Sequence, residues 1–321
     1  MILFISKQGT YVRINNGRIS LTFNKKQFAE IPREQIRQVI AFGNIQFTTP
    51  FINWALNRKV PIFLLTISGK IKGHVTSPTW TTPNLRKNLY VLSLKNELRI
   101  EFSKKFIKYK INNSRTLLEM TQRTNRISFK NEINLLSHML EKLKRAKTIE
   151  EIRTIEAHSA KIYFSAYGKL FPGWKFRGRF KNPPEDELNS MLSLGYTLLY
   201  TTITSFLWIY ELDPSIGIYH KSRSGFYPLA ADVMEIFRAP IVDHMVYRIV
   251  KRELIQKSDF KIDPKNGFYL RNDKFKTFLS IYRQRLYGHN MNWNRKITSL
   301  IRDLVSSIRV LKPVFEGVRW R

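Results

Sequence analysis

The segment Gly217 to Arg238, GIYHKSRSGFYPLAADVMEIFR, carries His220 on its turn-rich first third and Asp232 and Glu235 further on. Leu229 to Phe237 holds no helix breaker. Leu229, Val233, Ile236 and Phe237 fall at i, i+4, i+7 and i+8, so the spacing predicts a helix. Residues three apart on a helix share a face, with Cβ atoms roughly 5–6 Å from each other. One short segment can therefore offer an imidazole and two carboxylates to one point. Carboxylates select magnesium, manganese or calcium, and a single imidazole moves the preference towards manganese or another transition metal. The same spacing also fits a loop histidine beside a solvated acidic pair. Two features favour the metal: the two carboxylates interrupt an otherwise apolar helix, and Lys221, Arg223 and Arg238 lie nearby, as a phosphate-handling site requires.

The rest of the chain must position these groups. Its 321 residues are enough for about two domains. Apolar residues make up 43%, enough for a sizeable core. Fifty-five Lys and Arg against 24 Asp and Glu leave a net charge of +31. Such an excess points to a polyanionic partner, above all nucleic acid, because each neutralised phosphate releases counterions; an acidic membrane surface is the competing partner. With no Cys, disulfides, thiolate catalysis and Cys-based zinc or iron–sulfur sites are excluded. The apolar run in MILFISKQGTYVR is too short, and lacks the basic leader, for a signal peptide, so the expected compartment is the cytoplasm.

The sequence predicts an α+β chain: a small N-terminal β-rich domain, 1–75, a linker, 76–83, and a larger all-helical domain, 84–321. ILFIS, TYVRI and RISLTF are short and rich in β-formers, and Asn15-Asn16-Gly17 between the last two is a hairpin signal. Ile36 to Phe42, Ile45 to Phe47 and the apolar run Val60 to Ile67 read as further strands, with a turn at Ser68-Gly69-Lys70. Between them Thr48-Thr49-Pro50 opens a helix with a Thr cap and an early Pro. TSPTWTTP, with two prolines and four threonines, cannot continue a helix or a central strand and is the linker.

Beyond it, Leu94, Leu98, Phe102 and Phe106 recur at helical spacing. Arg86 to Lys130 holds 12 Lys/Arg against Glu97, Glu101 and Glu119, which predicts amphipathic helices with a basic outer face. Helices are also predicted over 131–147, 148–167 and 241–256, with a small hairpin near Asn266-Gly267 and two last helices before a basic tail. Glu156 lies one turn from Ile152 on an apolar flank, where it needs a partner or metal unless it faces water; spacing does not decide between these. Leu188 to Tyr210 is 23 residues without a charge. Its Ser, Thr, Asn and Gly content and its acidic flanks favour a buried central helix over a membrane span.

These segments together resemble the CRISPR-associated integrase of spacer acquisition, the nuclease-like subunit of the adaptation module. Glu156 opens E-A-x-x-A-x-x-YF (Ala157, Ala160, Tyr163, Phe164). Then follow R-F-x-x-PP-x-D-x-x-N (Arg179, Phe180, Pro183, Pro184, Asp186, Asn189), LSLGYTLLY, DPxxGxxH (Asp213 to His220) and LAxDxMExFR (Leu229 to Arg238) with Pro240 and Asp243. The N-terminal half also matches, through its strand-rich start, the Gly43 turn with its Thr-capped helix, and the VPIFLL strand. The family usually has Gly where this chain has Ala157.

The resemblance implies metal ligands and catalytic residues at Glu156, His220 and Asp232, Glu235 as acidic support, and Mg2+ or Mn2+ as the ion. Arg179, Lys221, Arg223 and Arg238 are the expected phosphate contacts; the ordinary alternative for Arg238 is an ion pair with Asp243 or Glu235. It also implies an N-terminal dimerisation domain, a homodimer flanking a small companion adaptation subunit, and double-stranded DNA as substrate. The implied reaction is transesterification, in which a 3′-hydroxyl of a short DNA fragment attacks a phosphodiester of the CRISPR array. The alternatives are a non-catalytic nucleic-acid-binding scaffold and a nuclease acting on branched DNA repair intermediates.

Overall fold

Alternating apolar residues build the N-terminal strands β1 (Ile2–Ile5), β2 (Thr10–Asn15), β3 (Arg18–Phe23), β4 (Lys26–Pro32), β5 (Gln38–Phe42), β6 (Ile45–Phe47), β7 (Ile62–Leu65) and β8 (Ile71–Val75), with α1 (Thr49–Asn57) between β6 and β7. The computed structural model describes residues 1–67, 69, 71–77, 83–180, 183–264, 267–288 and 292–315. The chain divides into two compact units, Met1–Thr81 with Lys276–Arg283, and Thr82–Phe275 with Gln284–Arg321.

In the first unit the strands form two sheets, ordered β4-β3-β2-β6 and β1-β5-β7-β8. The β2–β3 hairpin turns where expected. Asn16 and Gly17 both take positive φ, 47° and 75°, the two left-handed positions of a tight hairpin turn. Thr48 caps α1 by accepting from the Phe51 N–H at 3.4 Å. That helix lets parallel β5 and β7 lie side by side, and Val12, Ile19, Ile36, Val39, Phe51, Ala55 and Ile62 fill the core. Two strands have no counterpart in the expected pattern. β4 is an edge strand, largely exposed, carrying Lys26, Glu30 and Pro32, residues that protect a sheet edge from further pairing and disguise it as loop. β8 is the edge of the other sheet and contains Gly73.

Among the described residues the second unit is helical apart from one hairpin. Its elements are α2 (Pro83–Leu94), α3 (Asn96–Asn125), α4 (Lys130–Arg145), α5 (Ile149–Gly168), α6 (Glu187–Ile209), α7 (Pro228–Phe237) and α8 (His244–Lys251). The hairpin β9 (Phe260–Asp263) and β10 (Gly267–Leu270), α9 (Asn272–Tyr287) and α10 (Trp293–Arg309) complete it, a stretch of α9 counting with the first unit. The α+β class, strands first and helices after, is as expected, and the β9–β10 pair is the small hairpin expected near Asn266-Gly267.

α6 is long and apolar enough to cross a membrane by length and composition, yet Leu188, Met191, Leu192, Leu198, Leu199, Ile203 and Leu207 are all buried inside the protein. Where one helix was expected over 241–256, Arg238–Asp243 winds as a π-helical turn containing Pro240, and α8 ends at Lys251. Most of the expected linker, parts of the Ser68-Gly69-Lys70 turn and the hairpin turn at Asn266, and the basic tail from residue 316 lie outside the described residues.

Candidate active site

α7 begins at Pro228, whose ring supplies the fixed φ that suits a first helical position. The loop before it returns tightly on itself. Asp213 accepts from the N–H and hydroxyl of Ser215 at 3.0 and 2.6 Å, and the Leu229 N–H reaches the Pro214 carbonyl at 3.1 Å. Gly217 lets the chain close: a Cβ there would stand 2.2 Å from the His220 carbonyl oxygen and 2.6 Å from Pro228.

The fold turns the Asp232 side chain, fully buried, into this loop. Its Oδ2 accepts from the N–H groups of Ile218 and Tyr219 at 2.8 and 3.0 Å. Its Oδ1 accepts from the His220 N–H at 2.9 Å and lies 2.6 Å from His220 Nδ1. With both oxygens taking backbone donors, the carboxylate is the acceptor of the last contact, so Nδ1 carries a proton, and in the neutral ring it is Nε2 that holds the lone pair.

One turn on, Glu235 faces elsewhere. Its Oε1 lies 3.0 Å from Arg238 Nη2, and its Oε2 lies 2.7 Å from Lys110 Nζ. That Oε2 is buried, and its partner is the Lys110 ammonium. Lys110, on α3, is also ion-paired with Oε1 of Glu156 on α5. The other Glu156 oxygen accepts from the Tyr219 hydroxyl at 3.3 Å. The ammonium of Lys110 thus joins carboxylates delivered by α5 and α7, and Tyr219 ties the His220 loop to the same place.

The electrostatics follow from this packing. Burial alone would raise the Glu235 carboxyl; Arg238, Lys110 and then His220 outweigh it and hold the group at about 2. Burial alone would lower the Lys110 ammonium, but Glu235 and Glu156 reverse the sign and raise it. Among the described residues no three His, Asp or Glu side chains converge as they stand, and the ammonium sits between the two glutamates.

A family model described as CRISPR associated protein Cas1 matches residues 3–284. The chain belongs to the Cas1 family. A CRISPR-associated endonuclease Cas1 of Thermodesulfovibrio yellowstonii is 29% identical over 309 residues, spanning 94% of this chain and 96% of the relative. A CAS1 protein from Thermotoga maritima shares the fold with a TM-score of 0.86 at 20% identity, over 99% of this chain and 100% of that one. A casposase bound to integration product does so at 0.86 and 21% identity, over 100% of this chain and 95% of that one.

In this Cas1 family chain the expected site residues part into two groups. Glu156 and Glu235 meet at Lys110, and His220 joins them through its neighbour Tyr219, whose hydroxyl donates to Glu156. The Asp232 carboxylate, expected as a metal ligand, accepts from Ile218, Tyr219 and His220 and holds their loop. Glu235, expected as support, is the carboxylate facing Glu156 across the lysine.

The basic residues divide as well. Lys221 and Arg223 are exposed on the loop after His220, with Arg223 stacked 4.4 Å over the Phe226 ring. Arg179 is bound within the fold, donating to Asn189 Oδ1 at 2.8 Å and Ser193 Oγ at 2.9 Å. Arg238 takes the ion-pair alternative with Glu235, not with Asp243. Asp243 instead accepts from Tyr163 at 2.7 Å and Tyr196 at 2.6 Å. The guanidinium carbons of Arg179 and Arg238 lie 5.2 and 4.9 Å from the centre of the Tyr196 ring.

Lys110 escaped the sequence reading because it was counted with the basic outer face of its helix. Its signal was there: Phe106, Lys110, Asn113 and Leu117 are spaced four, three and four apart, the rhythm of a buried stripe. Asn113 on that stripe donates to the Ile236 carbonyl at 2.8 Å, clamping α3 to α7.

Proposed function

We propose that this protein is a metal-dependent DNA endonuclease and integrase of CRISPR spacer acquisition, joining 3′-hydroxyl ends of short DNA fragments into a CRISPR array by transesterification. The observation that carries the reading is the pair of carboxylates, Glu156 and Glu235, gathered from separate helices around one buried cation and tied through Tyr219 to the His220 loop. Family membership, the endonuclease name of the Thermodesulfovibrio relative, and the likeness to a casposase bound to integration product support it.

The donor set suits Mg2+ or Mn2+. The buried Glu235 carboxylate, held by cations alone, a second carboxylate from Glu156 and the Nε2 of His220 are hard and borderline ligands of the kind these ions take. Those three residues would hold the ion, which supplies charge neutralisation at the phosphate and a lowered pKa for the attacking hydroxyl.

The chain's own groups do the rest. Asp232 fixes the path of the loop and the tautomer of His220, leaving Nε2 pointed away from the carboxylate it is bonded through. The Tyr219 hydroxyl orients Glu156. Arg238 and Lys110 keep Glu235 ionised. Lys221 and Arg223, exposed beside His220, are placed to hold phosphate oxygens of the DNA backbone, and the net charge of +31 draws the duplex in. The assembly we propose is a homodimer flanking a small companion adaptation subunit, working in the cytoplasm.

A strand-transfer assay tests this. The protein is mixed with a labelled short duplex bearing free 3′-hydroxyls and a supercoiled plasmid, with manganese, magnesium or chelator. Metal-dependent joining of label to plasmid, lost in Glu235→Ala and His220→Ala, is expected. Cutting without joining in the presence of the companion subunit would favour a nuclease of branched DNA, and tight binding without reaction would leave a scaffold.

A further inference from the structure

Two carboxylates brought together away from water repel each other and each is costly to bury, so the site needs a cation at all times. The seat of that cation is well defined. Glu235 anchors Oε1 on Arg238 at 3.0 Å and turns Oε2 inward; Glu156 anchors Oε2 on the Tyr219 hydroxyl at 3.3 Å and turns Oε1 inward. Each glutamate thus offers one free-facing oxygen to the same point, and Lys110 Nζ stands on both.

The lysine side chain is only 12% exposed and that of Glu235 only 3%, so little water dilutes their attraction, while Glu156, 25% exposed, is the side from which water and a metal ion reach the seat. Yet the ammonium hangs on a flexible four-carbon stem, unlike the planar fork of an arginine, and can leave without moving α3. The anchors remain when it goes, with Arg238 still on Glu235 and Tyr219 still on Glu156.

We propose that Lys110 is a built-in competitor for the divalent cation, seated between Glu156 and Glu235 until the metal displaces it. This rests on the reading of the site as a divalent-metal centre. The two ions cannot share the seat, because the same two oxygens serve both and like charges at such close range repel. Lys110 therefore sets the metal affinity: a site whose binding-competent state is only a fraction f of the population has its apparent Kd raised by 1/f. The device keeps the acidic pair compact and neutralised in the metal-free protein, and couples metal loading to release of a positive charge at the site.

The test is direct Mn2+ binding, by calorimetry and by the electron paramagnetic resonance of free Mn2+, with the full-length chain as wild type, Lys110→Met and Lys110→Arg. With the lysine-seated form in about tenfold excess, Lys110→Met binds Mn2+ about tenfold more tightly than wild type. Lys110→Arg, which keeps the charge, binds no more tightly than wild type. Equal or weaker binding by Lys110→Met overturns the competition while leaving the metal centre standing. No saturable Mn2+ binding by any of the three overturns both.

The wild-type chain supplies a second readout free of folding defects. Acetylation of Lys110 by acetic anhydride, followed by mass spectrometry, should rise when Mg2+ is added as the ammonium leaves its carboxylates. Unchanged or lower reactivity overturns the proposal.

Discussion

His220 Nδ1 lies 2.6 Å from Asp232 Oδ1, and the same buried carboxylate gathers the N–H groups of Ile218, Tyr219 and His220 itself. The aspartate sets the ring and the loop that carries it together. Removing it and removing the ring should therefore differ. Asp232→Ala leaves backbone donors without an acceptor and should cost about 2–4 kcal/mol of stability in urea unfolding, with loss of strand transfer. His220→Ala keeps the backbone bonds, should stay within about 1 kcal/mol of wild type, and should lose strand transfer all the same. A stable Asp232→Ala variant would remove the loop-holding role.

The loop tolerates little else. Gly217→Ala would place a methyl 2.2 Å from the His220 carbonyl oxygen, a backbone atom that can move only by opening the loop. We expect it to reduce strand transfer at least as severely as His220→Ala and to lower the thermal midpoint. Gly225→Ala is the control: it has open space around its Cβ but a φ of +69°, so it should show a modest stability loss with activity retained.

Asn16 and Gly17, Thr48 and the apolar runs could be read directly because each acts on its own neighbours: a turn needs positive φ, a cap needs the next N–H groups, a buried strand needs consecutive apolar residues. The site was harder. Asp232 and Glu235 have the same chemistry at helical spacing, and both are buried, so spacing reveals a shared face but not which carboxylate meets the loop and which meets α5. That choice depends on Lys110, whose partners are 46 residues away at Glu156 and further still at Glu235. β4 was missed because edge protection by Lys26, Glu30 and Pro32 erases the pattern by which strands are recognised.

Tyr196 offers two separable functions. Its hydroxyl serves Asp243 at 2.6 Å, while its ring lies 4.9 Å from the guanidinium of Arg238, which in turn holds Glu235. Tyr196→Phe should cost about 1–3 kcal/mol by leaving Asp243 short of a donor, with Mn2+ affinity little changed. Tyr196→Leu, which removes the aromatic face, should also weaken Mn2+ binding. Equal metal affinity in the two variants would show that the ring does not position Arg238.

Lys221 and Arg223 are exposed, so their contribution should be electrostatic and nearly independent of sequence. Alanine at either position should weaken binding to unrelated duplexes alike and reduce the slope of log K against log salt by about 1 for each phosphate that is no longer neutralised. An unchanged slope for both variants would place the DNA backbone elsewhere.

His244 gives the fold a pH limit on the acid side. Arg285 Nη2 reaches its Nδ1 at 2.8 Å; since the guanidinium can only donate, the imidazole must accept and be neutral. Burial first, then Arg285 and Arg248, push the imidazole from 6.5 down to about 3. In the unfolded chain it protonates near its ordinary value, so below that pH the unfolded state binds the proton first. The neutral imidazole's contribution is fully present above about pH 6.5 and falls away as the pH drops towards 3, reaching a loss of about 2 kcal/mol by pH 5. Urea unfolding of the wild type between pH 7 and pH 5 should show this loss, and His244→Asn, less stable at pH 7, should show a flatter profile. Parallel profiles for the two would mean that another group carries the acid sensitivity.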